Sequence, residues 1–223
     1  MVPDVALTLL VGLAVLTAAL LTAAFWPSEP PPTPPRAVVE LPAGLPSIGS
    51  YVETRVLADG SLRVSHWVRS PEPVTALSVR VPYVGELDGS LEASEVTVVA
   101  DGAPRFLYAG LPIVTASGPQ TYYFPPADVV HVTYLLTGVL ERSPSVPGRA
   151  LARMTSLSLD YRFERGPHRV RVVGAKILTM ACNSVGPVLV PERPCGAPVG
   201  AGWEVVLRGS QRDDRVVAQL NLT

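Results

Sequence analysis

The sequence contains little cysteine and lysine and few aromatic residues. Cys182 and Cys195 are the two cysteines among 223 residues, and aromatic residues make up 6%. A structural zinc site needs four nitrogen or sulfur ligands, so this pair does not form one. Lysine plus arginine numbers 18 and aspartate plus glutamate 19, so no net positive charge indicates a nucleic-acid partner.

The chain also lacks the common catalytic motifs. Neither G-x-S-x-G nor H-E-x-x-H, S-x-x-K or G-x-x-x-x-G-K-[ST] occurs. Sequence order alone does not exclude a Ser-His-Asp triad, because that geometry arises in several chain orders. Glu53 and Glu204 are candidates for a carboxylate pair, but nothing distinguishes them from ordinary strand carboxylates. We therefore predict no catalytic residue, cofactor or metal site.

Long apolar runs are also scarce. The sequence has one, from Val5 to Trp26, which contains no charged residue. As a helix its 22 residues would extend about 33 Å, enough to cross a hydrocarbon core of about 30 Å. Trp26 suits the membrane–water interface, and Pro27 prevents the helix from continuing. We predict that residues 1–26 form a transmembrane signal anchor in contact with the lipid bilayer.

Two alternatives remain for this run. Cleavage near Ala24, after a small-residue stretch, would release a secreted protein. The run is, however, longer than the usual apolar region of about 7–15 residues, and Asp4 stands where a positive charge is expected. A buried helix of a soluble domain is the other alternative, but no polar face interrupts the run.

A proline-rich stretch follows the apolar run directly. The nine residues PSEPPPTPP favour polyproline II, which would span about 28 Å. We predict that residues 27–46 are a linker that holds a folded domain clear of the membrane; a disordered tether is the alternative. The linker, the β-strand pattern and the cysteines together place the domain outside the cytoplasm.

From Tyr51 onward apolar and polar residues alternate with a period of two, which is typical of strands with one buried face. Asp-Gly pairs at 59–60 and 101–102 predict hairpin turns. About ten short strands without crossover helices predict that residues 47–223 form an antiparallel two-sheet sandwich. The overall fold class is therefore all-β, Ig-like in the broad sense, preceded by a transmembrane helix and a proline-rich stalk.

The alternation also makes detailed predictions. One unbroken strand is expected over 170–178, and prolines are expected to lie at turns and strand edges. His66 falls on the apolar face of its strand, His131 falls on the polar face and His168 sits at a turn. In Tyr122-Tyr123, consecutive residues point to opposite faces, so one ring should be buried and the other exposed.

Cys182 and Cys195 enclose a segment of about 14 residues, whose closure by a disulfide would stabilise the fold by about 3 kcal/mol. Such a pair is normally oxidised outside the cytoplasm. Two buried free thiols are the alternative. A redox role is not predicted, since there is no C-x-x-C motif and no cation beside Cys182.

Basic residues are concentrated between Arg149 and Lys176. If the segments 156–163 and 168–173 formed a hairpin, Arg162, Arg169 and Arg171 would share its outer face. That strip could contact an anionic envelope polymer, lipid headgroups or an envelope protein. The alternative is an ordinary solvated strand face on which Asp160 pairs with Arg171.

These features predict a membrane-anchored, extracytoplasmic, non-catalytic structural or binding module of the cell envelope. One alternative is an accessory subunit of a larger membrane complex, with the anchor helix packed on other spans. The other is an envelope or secreted hydrolase whose site forms only in three dimensions. A deep cleft with a histidine of strongly shifted pKa would favour the hydrolase.

Overall fold

The computed structural model describes residues 38–82, 91–101, 113–114, 119–161, 166–184 and 192–222. The chain divides into two units, Met1–Pro34 and Pro35–Thr223, and all described residues belong to the second. The anchor with Trp26 and the proline-rich stretch lie outside the described residues, as does Arg162. Within the described ranges, no helix is long and apolar enough to span a bilayer.

The described residues form strands joined by turns, with one short 3-10 turn at Gly209–Gln211. The strands are β1 (Gly49–Val56), β2 (Leu62–Arg80), β3 (Glu92–Ala100), β4 (Ile113–Val114), β5 (Gln120–Thr137), β6 (Leu140–Arg142), β7 (Arg149–Ala152), β8 (Ser158–Asp160), β9 (His168–Val173), β10 (Lys176–Asn183), β11 (Arg193–Pro194), β12 (Ala197–Val199), β13 (Gly202–Leu207) and β14 (Arg215–Asn221).

The strands make two sheets that pack as a β-sandwich. The first sheet has the order β12-β13-β9-β1-β2-β5-β3-β4, with β8 paired to β2, and the second has the order β11-β10-β14-β7-β6. The all-β, two-sheet prediction is confirmed. The expectation of a wholly antiparallel fold is wrong at one place, because β1 and β9 run parallel. These two strands are far apart in sequence, and a parallel pair needs such a long connection rather than a hairpin.

The core fills the space between the sheets with aliphatic side chains from the inward positions of each strand. Burial of each large aliphatic side chain contributes about 1.5–3 kcal/mol. The largest fully buried side chains are Tyr134, Leu62, Leu77, Leu91, Leu136, Met154, Leu157, Met180, Leu207, Leu220 and Val52.

Two strands run across prolines at which breaks were expected. β2 continues through Pro71 and Pro73, and β5 continues through Pro125 and Pro126. The register between β2 and β5 shifts at these points, and all four prolines are exposed. A bulge leaves a residue outside the hydrogen-bonded ladder, so it tolerates a proline that has no N–H to donate.

The predicted strand over 170–178 is in fact two strands in different sheets. β9 ends at Val173 and β10 begins at Lys176, with Gly174 between them at φ 93°. A Cβ at Gly174 would lie 2.5 Å from the carbonyl oxygen of Val56. The chain therefore leaves the first sheet at a point that only glycine fits.

Residues 38–46, here called the N-terminal strap, fall at the end of the predicted linker but contact the sandwich. Val39 is buried, and its backbone N–H donates to Asp101 Oδ1 at 3.4 Å. Trp67 Nε1 donates to the carbonyl oxygen of Glu40 at 2.9 Å. These contacts hold the strap against the sandwich.

Cys182 and Cys195 form a disulfide, as predicted, with their Cα atoms 5.8 Å apart. Cys182 lies in β10 and is fully buried. Cys195 directly follows β11, whose Arg193 is paired in register with Cys182. The bridge therefore fixes the edge of the second sheet.

Candidate functional site: a polar cleft between the sheets

A cavity of about 230 Å³ lies between the sheets and is called here the inter-sheet cleft. Strands β1, β2, β8 and β9 of the first sheet form one wall, and the start of β14 with the preceding turn forms the other. The apolar part of the wall includes Leu157, Leu159 and Val216. The polar part of the wall includes Ser50, His66, Arg80, Asp160, His168 and Arg212.

Polar side chains occupy inward positions where the alternation of strand residues would normally place apolar ones. Ser50 alternates with Val52 in β1, and His66 alternates with Val64 in β2; both polar residues are 2% exposed. Burying a polar group costs free energy unless a hydrogen bond compensates it. The prediction that His66 lies on the buried face of its strand is confirmed.

Ser50 and His168 are brought together by the parallel pairing of β1 and β9, in which they are register partners. Ser50 Oγ and His168 Nδ1 are hydrogen-bonded at 2.6 Å. The rings of His66 and His168 lie 5.6 Å apart, centre to centre. His66 Nδ1 is buried and has no hydrogen-bond partner among the described residues. His168, predicted at a turn, is therefore the first residue of a strand and part of the cleft.

Both cleft histidines are held in the neutral form. Burial, and then the positive charge of Arg212, lowers the pKa of His168 to about 3. Burial lowers the pKa of His66 well below its usual value, and the positive charge of Arg212, with that of His168 when it is protonated, lowers it further. At neutral pH each ring therefore offers one N–H donor and one nitrogen acceptor.

Charges of both signs surround these neutral rings. Arg80 Nε lies 3.1 Å from Asp160 Oδ2. Arg212 Nε donates to the carbonyl oxygen of Gly166 at 2.9 Å, and its Nη2 donates to the Tyr161 hydroxyl at 3.0 Å. The arginines in the wall equal the aspartates in number: Arg80, Arg212 and Arg215 against Asp160, Asp213 and Asp214.

The hairpin that would have carried the basic strip does not form. β8 pairs with β2, whereas β9 pairs with β1 and β13. Asp160 consequently pairs with Arg80 rather than with Arg171. The predicted alternation of inward and outward residues holds in β8 and in β9. Which strands pair with each other, however, depends on contacts between residues that are far apart in the sequence.

Arg169 and Arg171 occupy the outer face of β9, on the opposite side of the sheet from His168. Arg169 Nε lies 3.4 Å from Glu204 Oε1. Arg171 is in register with Glu53 of β1 on one side and with Glu204 of β13 on the other. These two carboxylates, the candidates for a catalytic pair, thus flank an arginine and do not line the cleft.

The remaining aromatic candidates lie elsewhere. His131 is on the outer face, as predicted, but its ring stacks on Trp67 with centres 4.3 Å apart and an angle of 4°. Burial lowers the pKa of His131 to about 4. Tyr122 is 2% exposed and Tyr123 is 71% exposed, so the prediction of one buried and one exposed tyrosine is confirmed.

The sequence reasoning missed Ser50 and Arg212. Ser50 lies one residue before the start of the predicted alternation at Tyr51, and extending that alternation by one residue would have placed it on the face of Val52. Arg212 had no such signal, because it lies in a turn whose place beside His168 depends on the tertiary fold. Among the described residues, no group of three or more histidine, cysteine or acidic side chains could hold a metal ion.

Comparison with known proteins gives little further information. No protein-family model and no curated protein matches the sequence. Among solved structures, a mutant M1 zinc metallopeptidase from Deinococcus radiodurans, bound to a Tyr-Ser-Ala substrate, is similar with a TM-score of 0.34 and 13% identity. The match covers 79% of this chain and 43% of that chain, so this chain spans less than half of the metallopeptidase. A similarity at this level carries no argument about function.

Proposed function

We propose that the protein is a membrane-anchored, extracytoplasmic binding module of the cell envelope without catalytic activity. The observation that carries the proposal is the Cys182–Cys195 disulfide, which uses both cysteines of the chain. Disulfides persist mainly outside the cytoplasm. The charge-free run from Val5 to Trp26 and the following prolines supply an anchor and a spacer for a domain in that compartment.

Fractionation of the native host's cells tests the location. We expect the intact chain in the membrane fraction, cleavable by protease added from outside, with a mass two hydrogens below that of the reduced chain. A chain that begins near Phe25 and is found in the medium would instead make the protein secreted. A fully reduced chain would contradict the extracytoplasmic placement.

Partners of the module would be an envelope protein or an anionic polymer. The outer face of β9 supplies Arg169 and Arg171 for such a contact, although Glu53 and Glu204 reduce the local positive potential. An accessory role in a membrane complex predicts that other membrane proteins co-purify with the intact chain in mild detergent. It also predicts that a chain without residues 1–26 loses them.

Two observations favour a hydrolase as the second candidate. The cleft holds histidines of strongly shifted pKa, as expected for that alternative, and Ser50 Oγ is hydrogen-bonded to His168 Nδ1 at 2.6 Å. A nucleophile beside a base is the first requirement of covalent catalysis. However, a general base works best with a pKa near the working pH, and burial holds the pKa of His168 at about 3. Binding therefore fits this geometry better than acyl transfer.

A fluorophosphonate probe separates these candidates. A binding module should not be labelled at Ser50 at neutral pH. A hydrolase should be labelled there and lose the label in Ser50→Ala, while the control Ser78→Ala keeps it, because Ser78 pairs with Thr121 away from the cleft. Specific labelling of Ser50 would replace the proposed function with the hydrolase.

A further inference from the structure

We propose that the inter-sheet cleft binds a small neutral ligand rich in hydroxyl groups, of about the size of a monosaccharide. The inference rests on the proposed binding function and names the ligand class for it. Three features of the cleft support this: an unmatched buried polar atom, the volume of the cavity, and the balance of charge in its wall.

The first feature is His66. Two other inward polar side chains have partners: Thr54 Oγ1 donates to the carbonyl oxygen of Thr155 at 2.6 Å, and the Tyr134 hydroxyl accepts the Leu157 N–H at 2.9 Å. His66 lines the cleft, and its buried Nδ1 has no such partner in the described part of the chain. Leucine at this position would pack without that cost, so a buried imidazole at the cavity wall indicates a group that it recognises.

The second feature is volume. Sites for drug-sized ligands occupy about 300–1,000 Å³. The cleft measures about 230 Å³, which is below that range. It is nevertheless many times the space of one water molecule, whose share of the liquid is about 30 Å³. The volume thus suits a single compact molecule rather than a polymer segment or a peptide.

The third feature is the character of the wall. The imidazoles of His66 and His168 are neutral, and with the Ser50 hydroxyl they present both donors and acceptors. A hydroxyl group on the ligand can satisfy both kinds of partner. Arginines and aspartates are equally numerous in the wall, so no net attraction offsets the cost of taking a charged ligand out of water. Leu157 and Val216 offer apolar surface to the C–H groups of such a ligand.

Saturation-transfer NMR on the full chain in lipid nanodiscs tests the inference. The probes are glucose and N-acetylglucosamine, with glucuronate and glucosamine as an anionic and a cationic counterpart of similar size. We expect transfer to at least one neutral sugar and about tenfold weaker binding of the charged ones. His66→Leu should weaken neutral-sugar binding at least tenfold, a ratio that corresponds to the loss of about one good hydrogen bond.

His131→Leu is the matched control, because His131 is on the outer face of the same sheet and does not line the cleft. This variant should bind as the wild type does. His66→Leu should also melt at the same temperature as the wild type or a higher one, since it removes an unmatched buried polar atom. Should His66→Leu fail to fold, Ser50→Ala provides the same comparison with a smaller change.

Several outcomes would overturn the inference. The first is the absence of transfer to either neutral sugar at about 50 mM, which would indicate a cavity that holds water only. The second is a preference for glucuronate over the neutral sugars. The third is equal binding of the neutral sugar by wild type and His66→Leu. The fractionation experiment is independent of all three. A secreted chain that still binds sugar would overturn the anchor alone, and an anchored chain that binds none would overturn the ligand class alone.

Discussion

Ser50, His66 and His168 place polar chemistry on inward strand positions that elsewhere carry aliphatic side chains. Ser50 and His168 satisfy each other by a hydrogen bond, whereas His66 Nδ1 is left without one among the described residues. Protonation of the second ring nitrogen would place a positive charge in the interior, so burial favours the neutral form of each histidine. His66 and His168, together with His131 on the outer face, therefore contribute to how the fold responds to acid.

Lowering the pH from about 6.5 to about 5 should destabilise the protein. The pKa of His168 is about 3 in the folded state, and that of His66 is also well below 6.5, the usual value for an exposed imidazole. In this window the unfolded chain binds more protons, so the free energy of unfolding falls as the pH falls. Each of these two imidazoles contributes a slope of up to about 1.4 kcal/mol per pH unit, measurable by urea denaturation, and His131, whose pKa burial lowers to about 4, adds a third such contribution.

His66→Leu is the control for this pH dependence. It removes one of the two cleft imidazoles and should reduce the slope by about one imidazole's share between pH 6.5 and 5. Carboxylates contribute mainly nearer their own pKa values, at about 4. An unchanged slope in His66→Leu would show that the pH dependence originates elsewhere.

At the scale of elements, the break between β9 and β10 decides which strands belong to which sheet. No proline and no Asp-Gly or Asn-Gly pair interrupts residues 170–178, so the sequence predicted one strand there. Gly174 instead adopts φ 93° close to the backbone of Val56, and the chain passes to the second sheet. The polar and apolar pattern does not show which sheet each strand joins, because that depends on the partners with which β9 and β10 pair.

Gly174→Ala should destabilise the fold by about 3 kcal/mol or more. The new Cβ would lie 2.5 Å from the Val56 carbonyl oxygen, a backbone atom that cannot move aside, at a φ of 93° that side chains other than glycine rarely adopt. Gly200→Ala is the matched control, since Gly200 also has a positive φ, 57°, but no atom within 4 Å of an added Cβ. Its cost should be about 1 kcal/mol.

Urea denaturation of both variants measures this difference. Equal stabilities for Gly174→Ala and Gly200→Ala would show that the backbone at Gly174 relaxes and that the close approach to Val56 is not essential.

At the scale of the whole molecule, the N-terminal strap extends the folded unit beyond the sandwich strands. Val39 is buried, and Glu40 accepts a hydrogen bond from the Trp67 indole. Gly44 also lies against the ring of Tyr51, where an added Cβ would come within 2.5 Å of Cε2. The strap thus covers aromatic side chains on the outer face of the first sheet.

A chain that starts at residue 47 should be less stable than one that starts at residue 38, by about 1–3 kcal/mol. The shorter chain loses the burial of Val39 and the Trp67–Glu40 hydrogen bond. Its tryptophan fluorescence should shift to longer wavelength as Trp67 becomes exposed. Both chains lack Trp26, so Trp67 and Trp203 are the tryptophans observed.

Equal stability and equal emission of the two chains would contradict a structural role for the strap. In that case the folded unit would begin at residue 47, as the sequence predicted.

The features that the sequence alone could predict depend on residues that lie close together in the chain. Alternating residues fixed which faces are buried, including that of His66, because side chains on a strand point to opposite faces in turn. The Asp-Gly turn between β1 and β2 forms as expected, and Asp59 Oδ1 accepts hydrogen bonds from the backbone N–H and hydroxyl of Ser61. The pair Cys182 and Cys195, taken with the predicted extracytoplasmic location, predicted the disulfide that the structure contains.

Only the tertiary structure decided which strands are neighbours, and with that the site. Ser50 and His168 are 118 residues apart and meet because β1 and β9 pair in parallel. Arg212 acts on the two histidines from a turn in the other wall of the cleft. Pairing between distant strands follows from how both sheets bury their apolar faces at once, and the alternation within any one strand is compatible with many such arrangements. The sequence thus determined which residues turn inward, and the packing of the sheets determined which of them meet.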